Sequence, residues 1–270
     1  MSRIAVVGLG LIGGSIALAS RSRGYDRDPQ ARRRACERGI DVTDSLPAAL
    51  ADADFVFLAV STGETPALLV EAAAARPGAL LTDCASLKIP VLSAAAALPP
   101  GCRFVAGHPM AGSTTRGLAG ADPELFRGRP WVLVPTARTD ERSLASVGDL
   151  VAAMGAVPFV LDADTHDAAM TRVSHLPHAV SAALAAAALK GVPPAAVSLS
   201  GPGLQDTTRL AQAPIDLLLE LALADPPALV DALGDVVAEL TTLRGALLAG
   251  DTAAVRAFFE RAAAARKALL

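Results

Sequence analysis

The octapeptide GLGLIGGS at positions 8–15 constrains this chain more than any other stretch. It follows the apolar run IAVV and opens a segment free of proline, so it reads as strand, tight turn and helix. Gly8 permits the turn, Gly10 lets the backbone approach a pyrophosphate, and Gly13 lets the helix pack closely on the strand. The amides that begin the helix, around Leu11 and Ile12, then face the phosphates. A chain that starts this way is expected to build a Rossmann-type α/β domain around NAD or NADP.

The rest of the first half agrees. DFVFLAV (54–60), ALLTD (79–83), RFVAG (103–107), RPWVLVP (129–135) and VPFVL (157–161) are β-like runs, and most of the joins between them are helix-like. That alternation predicts a doubly wound parallel sheet. After Leu161 the texture becomes helical throughout, which places a dinucleotide-binding domain at 1–161 and a helical domain at 162–270. The segment from Asp162 to Lys190 reads as one long helix capped by Asp162 or Asp164, with Pro177 kinking it. Leu229, Leu233, Val236, Leu240, Leu243 and Leu247 recur at spacings of four and three, a seam that wants a partner helix. Gly250 ends that helix and Asp251 caps a final one.

Composition narrows the function. With 24 Lys and Arg against 27 Asp and Glu, the formal charge is −3, so no basic surface calls for nucleic acid. The RRR run at 32–34 suits an exposed helix face. Cys36, Cys84 and Cys102 are odd in number and lack a CxxC pair, which fits a reducing compartment and offers neither a disulfide frame nor a metal site. The N-terminus imitates a secretory leader ending in ALAS, but its glycines interrupt the apolar core. No later run of about twenty apolar residues would span a membrane. A cytoplasmic protein is expected.

The second half of a dinucleotide fingerprint is an acidic residue that accepts from the adenosine ribose. Asp26 in GYDRDP is the better match than Asp28, and a carboxylate there favours NAD over NADP. Its spacing from Gly8 is short. If the first helix runs to Arg21, too little chain remains for a full second strand, so either the helix stops near Leu18 or the strand is stunted.

GHPMAG (107–112) sets His108 between a glycine and a proline, good neighbours for a side chain held at the end of a strand. With GLGLIGGS, TDCASLK, GHPMAG, SHLPH and DTTRLA in this order, the chain resembles the prephenate/arogenate (cyclohexadienyl) dehydrogenase family over roughly residues 4–220. The resemblance implies NAD-dependent oxidative decarboxylation of prephenate or arogenate on the route to tyrosine, in a homodimer joined by its helical domain. By motif, His108 is the catalytic histidine, on a stiff loop facing the nicotinamide in the cleft between domains, and Ser86 lies within hydrogen-bonding reach of it. His175 contacts substrate, and Arg209 holds a substrate carboxylate. A neutral imidazole with an ordinary pKa of ~6.5 can accept the substrate's hydroxyl proton. A guanidinium suits a carboxylate through its bidentate fork.

Several residues read otherwise. His175 and His178 share a helical face, but no acidic or cysteine ligand accompanies them, so no metal is expected. His178 reads as structural, satisfying backbone groups around Pro177. His166 reads as surface, Trp131 as core, and Arg209 as following a loop, SGPGLQD. The family's aromatic-basic pair before DTTR is Leu204-Gln205 here, and the tryptophan usual after it is missing; both changes bear on substrate choice. Two alternatives remain. One is another NAD(P)-dependent hydroxy-acid dehydrogenase of the same plan; the other is an NAD-sensing module without turnover.

Overall fold

The structure is a computed structural model and describes residues 3–113, 115 and 117–269. Strands β1 (Ile4–Val7), β2 (Arg23–Tyr25), β3 (Asp41–Val42), β4 (Phe55–Leu58), β5 (Leu80–Asp83), β6 (Arg103–Pro109), β7 (Pro130–Val134) and β8 (Val157–Val160) form an eight-stranded sheet. Their order is β3-β2-β1-β4-β5-β6-β7-β8. The order reverses between β1 and β4, the switch point at which α/β sheets bind nucleotides. Consecutive β4 residues divide between the faces: Val56 and Leu58 join one buried cluster, Phe57 the other. A strand covered on both sides reads as an unbroken apolar run, as FVFL does.

The sheet departs from the fully parallel expectation at one edge. β7 runs antiparallel to β6, and β8 runs parallel to β7. Parallel neighbours need a crossover helix. Between β6 and β7 the described residues supply only a 3₁₀ turn, Gly117–Gly120, so the chain comes straight back.

Six helices connect the strands: α1 (Leu11–Ser20), α2 (Pro29–Glu37), α3 (Leu46–Leu50), α4 (Thr65–Ala75), α5 (Ile89–Ala96) and α6 (Glu141–Ala153). The short second strand proves real, with three residues, and α1 runs past Leu18 to Ser20. Arg21 makes the return possible by adopting the left-handed region (φ 49°, ψ 44°), where an L residue with a side chain is strained. The extended chain from Ser22 then needs only to match a four-residue β1. The pairing of Val7 with Tyr25 carries residue 26 level with Gly8.

The chain divides into two compact units, Met1–Asp167 and Ala168–Leu270. The division falls beyond the join expected at 161/162, because His166 and Asp167 are tied to the first unit by hydrogen bonds. The expected single long helix is two: α7 (Ala163–Met170), a π turn at Thr171–His175, and α8 (Leu176–Ala188). Asp162 is the cap of α7, accepting from Thr165 N at 2.8 Å. Pro177 brings no N–H to the ladder, and the wider turn before it, closed by Leu176 N–H to Thr171 O, accommodates that loss. His178 bonds Ser174 O through Nδ1 at 2.8 Å, the structural task expected of it.

The second unit continues with α9 (Pro202–Thr208), α10 (Ile215–Ala222), α11 (Pro226–Ala249) and α12 (Thr252–Ala268). Asp225 and Asp251 cap the last two helices. SGPGLQD is therefore not a loop: Gly201 caps a helix with Pro202 in its first turn, a position that suits proline's missing N–H. Of the α11 seam, Leu229 is buried, but Leu240 and Leu247 remain 58% and 60% exposed. Among the described residues no helix is long and apolar enough to cross a membrane.

Candidate active site

The first half of the site is the glycine turn after β1. A Cβ built on Gly13 would lie 1.8 Å from Gly8 O, so only glycine lets α1 sit against the turn. A Cβ at Gly10 would meet nothing within 4 Å. That open space beside backbone amides is what a pyrophosphate needs. Beside it lies a cavity of about 730 Å³ lined by Gly8, Gly10, Tyr25, Asp26, Val60 and Leu68, among others.

Asp26 reaches this cavity. Its Oδ2 accepts from Leu9 N at 2.8 Å and its Oδ1 from Asp28 N at 2.9 Å. Each oxygen keeps a lone pair for a ribose hydroxyl. Of the two basic neighbours, Arg27 is paired with Glu64, and Arg32 donates to Asp26 O at 2.7 Å. The turn, the open space and the carboxylate together fit NAD.

The second half is the end of β6. His108 is not on a loop: pairing with β7 extends the strand, with Gly107 opposite Leu133, His108 opposite Val132 and Pro109 opposite Trp131. Gly107 is squeezed between layers. A Cβ there would lie 2.8 Å from Asp83 O, 3.0 Å from Trp131 Nε1 and 3.1 Å from Thr82 Oγ1. Trp131 is wholly buried between Phe57 and Phe126, as its sequence setting implied.

Beneath His108 lies a buried ion pair. Lys88 Nζ donates to Asp83 Oδ2 at 2.5 Å and to Gly107 O at 2.6 Å, and Gly107 N donates to Asp83 Oδ1 at 3.0 Å. Both side chains are wholly buried. Lys88 thus bolts the β5–α5 loop to the backbone next to His108.

His108 itself is half-buried, and its Nδ1 stands 2.9 Å from His166 Nε2. The sequence reading missed this neighbour: His166 is wholly buried, not surface. Its Nδ1 is 2.6 Å from Asp167 Oδ1. Asp167 in turn accepts from the amides of Lys88 at 3.0 Å and Ile89 at 2.9 Å, at the start of α5. Burial pushes the Asp167 carboxyl up, but hydrogen bonds from His166 and those two amides outweigh it and hold the group below the usual carboxylate range.

Ser86 departs from its expected place. Among the described residues its hydroxyl bonds Thr62 Oγ1, at 3.2 Å, and not His108. In the second unit, His175 is buried beside an apolar cavity of about 340 Å³ that His178, Leu218 and Leu229 also line. Arg209 follows α9 directly and is exposed, with no ion pair among the described residues.

Comparison with known proteins agrees with this geometry. Residues 17–160 match the nucleotide-binding domain of prephenate dehydrogenase, and residues 162–261 match its dimerization domain. A cyclohexadienyl dehydrogenase of Zymomonas mobilis is 30% identical, across 98% of this chain and 95% of that protein. The structure of Aquifex aeolicus prephenate dehydrogenase with hydroxyphenyl propionate and NAD+ superposes with a TM-score of 0.90, at 26% identity, over 100% of this chain and 99% of that one. Synechocystis arogenate dehydrogenase gives a TM-score of 0.82 at 29% identity, over 99% and 100%. The chain is an NAD-dependent dehydrogenase and belongs to the prephenate dehydrogenase family.

Proposed function

We propose that the enzyme oxidatively decarboxylates prephenate or arogenate in tyrosine biosynthesis, with His108 as its general base. The observation that carries this reading is the placement of His108. It is fixed on a paired strand, braced from below by the Lys88–Asp83 pair, half-exposed, and in hydrogen-bond reach of a second imidazole. NAD, when bound, accepts the hydride from the hydroxyl-bearing ring carbon. His108 takes the hydroxyl proton as the carbonyl develops. It returns that proton when loss of carbon dioxide pushes the electron pair back onto oxygen and the ring becomes aromatic.

In the same proposal Asp26 accepts from the ribose, while the amides around Gly10, Leu11, Ile12 and Gly13 receive the pyrophosphate. Ser86 assists His108 in catalysis, His175 contacts substrate, and Arg209, exposed and without an ion pair among the described residues, takes a substrate carboxylate. The two domains are assigned as 1–161 and 162–270 from the family matches to 17–160 and 162–261, although residues 162–167 belong to the first compact unit. The working state is a cytoplasmic homodimer, for which the dimerization-domain match and the exposed leucines of α11 are the support.

His108→Asn tests the central assignment. Turnover of prephenate and of arogenate, each offered with NAD, should fall by roughly two to four orders of magnitude, the range for lost general acid–base catalysis. Turnover near that of the parent would remove His108 from the mechanism.

A further inference from the structure

The hydrogen-bond chain from His108 leads away from the surface to a carboxylate. His166 Nδ1 lies 2.6 Å from Asp167 Oδ1, and a carboxylate only accepts, so His166 carries its proton on Nδ1. The Nε2 of a neutral His166 is then a lone pair. At 2.9 Å from His108 Nδ1, it can only be paired if His108 donates. The proton of His108 is thereby fixed on Nδ1, and its lone pair sits on Nε2. The ring centroids are 5.1 Å apart and the planes cross at 69°, a twist about the N···N line that a bond to an in-plane lone pair accommodates.

We propose that His166 and Asp167 are positioning residues that select the tautomer of His108, so that Nε2 is the basic atom, and that stabilise the imidazolium formed when it takes a proton. This deepens the assignment of His108 as base and rests on it. Asp167 is suited to the task because the amides of Lys88 and Ile89 that it also meets are donors. Neither amide competes for the proton that the carboxylate accepts from His166. Among the described residues, the ion pairs at this chain are Asp167 with His166, and Lys88 with Asp83 below Gly107, whose charges oppose each other.

Asp167→Asn separates this role from a merely structural one. The amide oxygen, in the place of Oδ2, can still accept from Ile89 N at 2.9 Å and from Lys88 N at 3.2 Å, so the start of α5 keeps these bonds. The amide nitrogen, however, now faces His166 Nδ1 and reverses the chain of donors: His166 donates from Nε2, and His108 is left with its proton on the wrong nitrogen. The same substitution behind another catalytic histidine lowers kcat by about 10⁴. Here kcat should fall by roughly 10²–10⁴-fold, while KM for NAD stays within about threefold. His166→Leu should fall as far, and the double variant no further, because the two act as one unit. A kcat for Asp167→Asn within about threefold of the parent overturns the proposal.

A second measurement uses the unmodified protein and reads no turnover. Nitrogen-15 NMR of the imidazoles should show His108 with a protonated Nδ1 and a pyridine-like Nε2 at pH 8. The opposite tautomer overturns the relay. If instead His108→Asn keeps its turnover, the base assignment fails, and the NMR result still reports the His108–His166 bond by itself.

Discussion

Replacing Lys88 by Met should unfold the first unit far more easily than its conservative volume implies. The four-carbon stem and the thioether side chain fill similar space, so packing contributes little to the change. The loss is electrostatic. Among the described residues Lys88 Nζ is the only cation paired with Asp83, at 2.5 Å, and both groups are wholly buried. Removing one partner of a buried pair costs about 3–5 kcal/mol, because the other charge stays desolvated. Two amides, Ala85 N at 2.9 Å and Gly107 N at 3.0 Å, still serve the carboxylate, which argues for the low end. Against that, Gly107 O loses a charged donor at 2.6 Å, a contact of the kind worth ~1.5–3 kcal/mol. With a urea slope of ~2 kcal/mol per molar, the midpoint should drop by about 2 M. Trp131 makes the assay specific: it is the sole tryptophan and lies in the core of the first unit, so its fluorescence follows that unit. The exposed pair Arg3–Asp54, at 3.0 Å, is the control, and Arg3→Ala should leave the midpoint where it was. A Lys88→Met midpoint within about 0.3 M of the parent would refute the reasoning.

Asp26→Ser should erode the preference for NAD over NADP, because the carboxylate accepts from the ribose and repels a 2′-phosphate; an unchanged ratio of the two KM values would remove its ribose role. Arg209→Ala should raise the substrate KM by about ten- to a hundredfold with little change in kcat, as expected for one charge-assisted contact present before and during reaction. Light scattering should give twice the 27.3 kDa chain mass, and a mass of one chain at micromolar concentration would defeat the homodimer. Acid should weaken the first unit in a defined window. Bonds from Ser143 and Thr165 hold Asp140 and Asp162 below the usual carboxylate range in the fold. Lowered folded values stabilise the fold above the unfolded pKa of ~4, and that contribution drains as pH falls through the folded values. The Trp131 midpoint should therefore decline as pH falls below ~4, and a rise there would contradict the assignment.

What the chain shows in its sequence is what local physics writes into it. FVFL and LLTD read as buried strands because both faces are covered, and GLGLIGGS reads as a phosphate turn because a side chain at Gly13 cannot fit. Asp225 and Asp251 announce their helices because a cap bonds residues three ahead. The misjudged elements are those where something non-local decides. β6 runs through His108 because β7 pairs with it, and no periodicity in RFVAGHP carries that. The short β2 is the stunted strand that the spacing from Gly8 allowed as one of two outcomes, though nothing in the sequence explained it. It works because β1 is only four residues long and Arg21 accepts a strained turn.

The candidate site divides along the same line. His108, Asp26 and the glycines carry motifs whose spacing is itself the signal. His166 carries none: it sits among polar residues, in ADTHDAAM, and reads as solvated. Yet it meets His108 across 58 positions of chain. Its buried state follows from Asp167, which must reach the free amides at the head of α5, and a carboxylate that caps a distant helix drags its neighbour into the core. Lys88 is hidden for the same reason. No local pattern in TDCASLK marks it, because its ammonium is needed under Gly107, where the absence of a side chain lets Asp83 and the β6 backbone approach each other. The residues that brace the base are thus polar groups recruited from elements distant in sequence. Each is placed by a partner's unmet hydrogen bond, and that information exists only once the sheet has formed.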